Sequence, residues 1–153
     1  MKLPPFQALL DENRADVYRF LVATVGPSDA DDSFQETWIA ALRAYPNLRR
    51  ADNLRAWLFR IAQNKSIDAH RARGRRPVPV ANVPERPTSS PTEADPELWE
   101  RLRDLPTKQR TAVFCRSVLG MPYDELAVLL ESSEDAARRN VHEGLKRLKE
   151  ELS

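Results

Sequence analysis

Pro77-Val78-Pro79-Val80-Ala81-Asn82-Val83-Pro84-Glu85-Arg86-Pro87-Thr88-Ser89-Ser90-Pro91-Thr92-Glu93-Ala94-Asp95-Pro96 places six prolines in twenty residues and shows no apolar periodicity. Proline fixes φ and carries no amide hydrogen, so such a run cannot continue a helix and makes a poor strand. It reads as an extended tether. Both flanks differ from it: each repeats apolar residues at helical spacing, and neither alternates in the way of a strand. The expectation is an all-α chain of two small helical domains joined by a Pro-rich linker. Residues 1–76 form the first, 77–95 the linker and 96–153 the second. Each piece is small for a core of its own.

Upstream of the tether, Phe6 to Val25 carries Phe6, Leu9, Leu10, Val17, Phe20 and Leu21 near helical spacing, as one bent helix or two short ones. Gly26-Pro27 ends it. Ser28 or Asp29 can cap the next helix, whose first turn is rich in acids that the helix dipole favours. Phe34, Trp38, Leu42 and Tyr45 then recur as a core stripe, and Pro46 stops it. Leu54, Trp57, Leu58, Ile61 and Ala62 form the buried face of a third helix running to about Arg73.

Downstream, a helix starting near Pro96 holds Leu98, Trp99, Leu102 and Leu105, and Pro106-Thr107 restarts one through Leu119. Gly120-Met121-Pro122 breaks it. A short helix from Tyr123 to Leu130, a turn at Glu131-Ser132-Ser133 and a long helix from Glu134 to about Leu152 complete the chain. Short helix, tight turn and longer helix is the arrangement that presents a recognition helix to the major groove.

Bulk properties narrow the class. Charged residues make up 31% and hydrophobic ones 41%, a globular composition. The longest apolar stretches are too short to span a membrane. The segment Met1-Lys2-Leu3-Pro4-Pro5 lacks the apolar core of a signal peptide, so a cytoplasmic location is expected. Cys115 is the single cysteine, which excludes an intramolecular disulfide, and with two distant histidines it makes no zinc set. Within Ala112-Val113-Phe114-Cys115 it reads as a small buried residue. Net charge is only +1, too little for a strong unaided grip on nucleic acid. The distribution is uneven: 1–76 carries 13 Lys/Arg against 9 Asp/Glu, whereas 96–153 carries 10 against 11.

Two segments stand above this background. The first is Ala30-Asp31-Asp32-Ser33-Phe34-Gln35-Glu36-Thr37-Trp38, followed by Ala56-Trp57-Leu58-Phe59-Arg60-Ile61-Ala62-Gln63-Asn64-Lys65-Ser66-Ile67-Asp68-Ala69-His70-Arg71. Asn64, Asp68, Arg71 and Arg75 follow one another at helical spacing, a stripe of amide and guanidinium groups suited to phosphates and base edges. The run His70-Arg71-Ala72-Arg73-Gly74-Arg75-Arg76 adds a dense basic tail able to anchor a phosphate backbone. Alone, that run would read as a solvated helix end. Together the two segments closely resemble region 2 of the extracytoplasmic-function sigma factors of bacterial RNA polymerase, over most of residues 6–76.

The second is Leu105-Pro106-Thr107-Lys108-Gln109-Arg110-Thr111-Ala112-Val113-Phe114 with Gly120-Met121-Pro122-Tyr123-Asp124-Glu125-Leu126-Ala127-Val128-Leu129-Leu130. It resembles region 4 of the same family, over about residues 98–150. The likeness is incomplete. Where the family has glycine in the turn and then a Thr-Val pair, this chain has Glu131 and Ala136-Ala137. Its basic run is interrupted by Glu143, with Glu134 and Asp135 nearby.

The resemblance implies a sigma factor that directs promoter-specific initiation, with no catalytic residues, cofactor or small-molecule substrate of its own. It implies that Asp31, Asp32, Gln35 and Glu36 dock on the β′ coiled coil of the polymerase core, although the helix dipole alone would also favour acids there. The −10 element would be met by the loop residues Asn47, Arg49, Arg50 and Asn53, where the family captures a flipped base, and by Arg60, Asn64, Lys65, Arg71 and Arg73. Trp57 could stack on a base, but it lies on the apolar face. The second domain would sit on the β flap and meet the −35 element through Ser133, Glu134, Arg138, Arg139, His142 and Lys146. Lys146, Arg147 and Lys149 also suit a helix C-terminus. An anti-sigma factor is an expected partner. A rival reading is a sigma-like regulator whose departures in the second domain direct it to a protein rather than DNA. A plain repressor leaves the first segment unexplained, and a recombinase lacks its nucleophile motif.

Overall fold

The computed structural model describes residues 3–49, 51–75 and 96–152; the expected tether over 77–95 and Arg50 lie outside them. The described residues form α1 (Phe6–Val25), α2 (Pro27–Ala44), a 3-10 turn (Tyr45–Asn47), α3 (Leu54–Arg75), α4 (Pro96–Asp104), α5 (Thr107–Ser117), α6 (Tyr123–Leu130) and α7 (Glu134–Leu152). Among them no strand occurs, as the periodicity predicts. Phe6 to Val25 is one helix, and α3 continues through Gly74 rather than stopping at Arg73.

Gly26 alone joins α1 to α2, at φ 91° and ψ 159°, a backbone open to glycine and costly to residues with a Cβ. Its amide donates to Val22 O (3.0 Å) and closes α1. Its carbonyl accepts from Asp29 (3.3 Å) and Ala30 (3.1 Å) and opens α2. Gly26 thus takes the capping place expected of Ser28 or Asp29, which fall inside the helix behind Pro27 at its first position.

The inward face of α2 is built from small residues, Ala30, Ser33, Thr37 and Ala41, with Trp38 and Tyr45 at its edge. Small side chains let α1 and α3 approach closely. The expected core stripe is therefore wrong at Leu42, which is 57% exposed. It lies about 100° around the helix from Ala41, on the side away from the core. Tyr45 donates its hydroxyl to Pro4 O and packs edge-on against Phe6 (5.2 Å between ring centroids). Trp57 is half-buried against the Tyr45 ring (6.1 Å), consistent with packing rather than base stacking. On α3 the fully buried apolar positions are Ala56, Leu58, Phe59 and Ala62; Leu54, Trp57 and Ile61 flank them. The buried polar groups Asn13, Thr24 and Thr37 donate to carbonyls four residues back, so they cost no unpaired hydrogen bond.

The second half closes through Arg110, only 4% exposed. Its guanidinium donates to Arg103 O (2.9 Å), Leu105 O (3.1 Å) and Thr107 Oγ1 (3.3 Å), tying the end of α4 to the start of α5. Burial pulls its pKa down to about 10, against the opposing pull of Asp104. Cys115 is fully buried, as expected, and burial pushes its thiol well above the ordinary range. The α6–α7 turn pivots on Glu131 at φ 54°, with Ser132 N donating to Ala127 O (2.9 Å). Ser133 Oγ then accepts the Ala136 amide (3.1 Å) and caps α7.

Both halves contribute to a single buried cluster. Phe20 of α1 meets Phe59 of α3 (5.6 Å) and Phe114 of α5 (5.7 Å), so the first half and the second are packed on each other. No sequence signal had indicated this contact.

Where α7 crosses α5, Gly144 allows backbone contact: a Cβ there would lie 2.5 Å from Val113 Cγ2 and 3.3 Å from Gln109 O. Gly144→Ala should raise helix propensity yet destabilise the fold, by roughly 1–3 kcal/mol of overpacking. Thermal unfolding by circular dichroism measures this; an unchanged or raised Tm would mean the crossing has room to spare.

Candidate nucleic-acid interface

The loop before α3 is exposed at Asn47, Arg49 and Asn53. Asn53 adopts φ 58°, a conformation asparagine tolerates better than most, and its carbonyl accepts the Trp57 amide (2.9 Å) to begin α3. Along α3, Asn64, Asp68 and Arg71 form the expected exposed stripe, Lys65 is half-buried, and the helix persists to Arg75. Arg73 is exposed and reaches back to α1 and α2, 3.5 Å from Val25 O and 3.9 Å from Asp29.

Two members of the expected surface turn elsewhere. His70 does not join the basic tail: it is half-buried and donates from Nε2 to Thr24 O (2.6 Å) at the end of α1. Desolvation, followed by the nearby Arg110, lowers its pKa. Arg60 points to the second half, where it donates to Val128 O and pairs with Glu131 (3.3 Å). Beside it Arg55, which the sequence had not singled out, donates to both carboxylate oxygens of Glu125 (2.6 and 2.9 Å). A pairing between residues 70 apart leaves no local pattern to find.

On α7, Ser133, Glu134, Arg138, Arg139, His142 and Lys146 are all exposed. Glu134, Arg138, His142 and Lys146 step by four and share a face. Arg138 lies over the Tyr123 ring (4.5 Å), as does Arg116 (4.1 Å), so aromatic contact holds one candidate reading side chain in place. The acids that interrupt the basic run are partly engaged: Glu131 pairs with Arg60, and Glu143 accepts from Gln109 (3.5 Å).

On α2, Asp31, Asp32, Gln35 and Glu36 are exposed together, and Asp31 accepts the Tyr18 hydroxyl (2.9 Å), which raises the tyrosine's pKa. Next to them runs a groove of about 330 Å³ lined by Leu10, Arg14, Phe34, Gln35, Trp38 and Ile39. Ile39 is 50% exposed, Leu42 more so, and the buried indole N–H of Trp38 has no acceptor. The sequence reading missed this apolar strip because it assigned Leu42 to the core. Among the described residues no His, Cys, Asp and Glu group is arranged to hold a metal, and no helix is long and apolar enough to cross a membrane.

Comparison with known proteins bears on both surfaces. The sigma-70 region 2 family model matches residues 9–76, and the sigma-70 region 4 model matches residues 96–148. The ECF RNA polymerase sigma factor SigD of Mycobacterium tuberculosis is 37% identical over 94% of this chain and 75% of its own length. The ECF RNA polymerase sigma factor SigE of Mycolicibacterium smegmatis is 28% identical over 99% of this chain and 63% of its own. Among solved structures, the sigma factor RpoE in complex with the anti-sigma factor NepR from Bartonella quintana aligns with TM-score 0.73 and 24% identity, over 96% of each chain. CnrH in complex with the cytosolic domain of CnrY aligns with TM-score 0.73 and 23% identity, over 96% of this chain and 86% of that one. At these identities the structural likeness is one of fold.

His70 gives this region a pH signature. Its folded pKa lies below the unfolded value of about 6.5, so its neutral state is favoured in the fold and full stability is present above that pH. Stability is lost as pH falls through the depressed folded value. His70→Gln should flatten the decline of Tm between about pH 7.5 and about pH 5.5; an unaltered slope in the variant would assign the decline to other groups.

Proposed function

The chain belongs to the extracytoplasmic-function sigma factors of bacterial RNA polymerase, and on that premise we propose how its exposed surfaces divide the work of initiation. The observation that carries the reading is the exposed Asn64, Asp68 and Arg71 stripe on the helix that the left-handed Asn53 begins, inside the matched region 2 segment.

Residues 1–76 act as the docking and opening domain. Asp31, Asp32, Gln35 and Glu36 meet the β′ coiled coil of the polymerase core, and the neighbouring apolar groove, with Ile39 at its rim, contributes burial to the same contact. Asn47, Arg49, Arg50 and Asn53 take the base extruded from the −10 element, and Arg60, Asn64, Lys65, Arg71 and Arg73 hold the adjoining strand. Extracting a base costs a few kcal/mol, which a preformed loop offsets. Residues 77–95 link the domains. Residues 96–153 sit on the β flap and meet the −35 element through Ser133, Glu134, Arg138, Arg139, His142 and Lys146, which reach bases and phosphates from α7. The chain itself performs no bond chemistry; the polymerase does. It works in the cytoplasm, and an anti-sigma factor restrains it, as one is bound to the structurally similar RpoE chain.

The net charge of −1 on residues 96–153 favours a second reading, in which α7 addresses a protein. Promoter substitutions separate the two: a −35 change that leaves factor-dependent transcription intact, in wild type and in Arg138→Ala alike, would support the protein reading.

Run-off transcription with core polymerase tests the main proposal, and Asp32→Lys with Glu36→Lys should abolish the transcript by weakening core binding while helical circular dichroism is retained. Wild-type core affinity in that double variant would remove these acids from the interface. Asn53→Ala should spare core binding but reduce permanganate reactivity at the −10 element by about one to two orders of magnitude, the equivalent of one good base contact of roughly 1–3 kcal/mol. Undiminished strand opening would move base capture away from this loop.

A further inference from the structure

Glu134 and Asp135 stand in the first turn of α7, where the helix dipole accounts for acids. Glu143 has no such account. It is the tenth residue of a helix that runs from Glu134 to Leu152, away from either end, and it is exposed. At about 100° per residue, Arg139, His142, Glu143 and Lys146 all fall within about 60° of the direction opposite the buried Ala137, Val141 and Leu148. An acid therefore stands among the cations of the outward face.

A solvated ion pair with one of those cations would be the plain reading of such an acid. The structure gives its carboxylate a neutral contact instead, the side-chain amide of Gln109 of α5, at 3.5 Å. Gln109 is itself only 8% exposed, and α7 crosses it closely: a Cβ at Gly144 would lie 3.3 Å from Gln109 O and 3.4 Å from its Cβ. The amide thus comes from a packed side chain, and it orients the carboxylate without neutralising it. On the other flank of the same face, Arg138 is seated on the Tyr123 ring (4.5 Å). The outward face of α7 is bracketed by one placed cation and one placed anion.

A carboxylate only accepts hydrogen bonds. In a major groove it opposes guanine, which offers O6 and N7, and thymine, which offers O4. Adenine sets the N7 acceptor beside its amino group. Cytosine alone presents an amino donor, N4, with no acceptor next to it. We propose that Glu143 is a specificity-determining residue of the promoter contact, whose carboxylate accepts from the amino group of a cytosine in the −35 element. The proposal rests on the reading of α7 as the −35 helix given above. Near phosphates the charge lowers affinity for every sequence, and it lowers it most where no amino group meets it. Selectivity then arises from the penalty on wrong bases as much as from the bond to the right one. The net charge of −1 on residues 96–153 is in this light compatible with a DNA-reading module.

The test uses holoenzyme reconstituted from core polymerase and the full chain, and a promoter library randomised through the −10 and −35 elements, with the bound templates sequenced. Wild type should favour cytosine at one −35 position by about tenfold, within the range of one good base contact. Glu143→Ala should level the four bases there and leave the other positions as they are. Glu143→Gln gains a donor beside its acceptor and should move the preference to adenine, whose N6 and N7 match an amide. Gln109→Met keeps the packed bulk without the amide and should weaken the cytosine preference at that position alone; a change spread over all positions would overturn the positioning role of Gln109. An unaltered cytosine preference in Glu143→Ala would overturn the proposal and leave the −35 reading standing. Wild-type preference at the −10 element with none at the −35 element would overturn that reading and the proposal with it.

Discussion

Phe20 sits at zero exposure between Phe59 and Phe114, and the remaining architecture can be derived from that placement. Its two edge-to-face contacts join α1 to α3 within the first half and to α5 across the halves. Aromatic pairs of this kind are worth about 0.5–1.5 kcal/mol beyond the area they bury. With Phe20 fixed, α2 must approach α1 and α3 closely, which accounts for the small residues on its inner face and for the single glycine that turns the chain. Ile39 and Leu42 are left on the outer side of α2, while Trp38 stays buried at its edge. The groove beside Asp31, Asp32, Gln35 and Glu36 therefore follows from how the core is filled.

Much of the helical plan was legible because it is punctuated locally. Gly26-Pro27, Pro46 and Gly120-Met121-Pro122 each end an element by removing a donor or admitting a special backbone angle, and the structure breaks at those points. The family segments were equally readable, since their residues fall within single helices. Illegible features involved distance or size. Leu42 reads as core because hydropathy ignores the fact that close helix packing selects alanine and serine over leucine. Arg55 and Arg60 meet partners 70 and 68 residues away, and no periodic signal encodes that. His70 lies within a basic run, yet it faces inward because the end of α1 presents a carbonyl to it.

The same physics explains why the family likeness is weakest at the α6–α7 turn. Glu131 departs from the expected glycine, and its carboxylate acts outside the helix-turn-helix, on α3. Glu143 likewise serves the α5–α7 contact through Gln109. Glu131 is thus the partner of a cation in the first half, whereas Glu143, accepting from a neutral amide, keeps its charge on the exposed side of α7.

The stacking of Arg138 on Tyr123 has a consequence for how selective that face can be. A free arginine side chain carries about 2 kcal/mol of rotamer entropy, much of which is surrendered when it binds. A guanidinium already seated on a ring has surrendered part of it in the unbound state. Its contribution then depends more on whether its donors meet matching acceptors and less on the general attraction of a phosphate. A weakly charged module can in this way discriminate between sequences without holding any of them tightly.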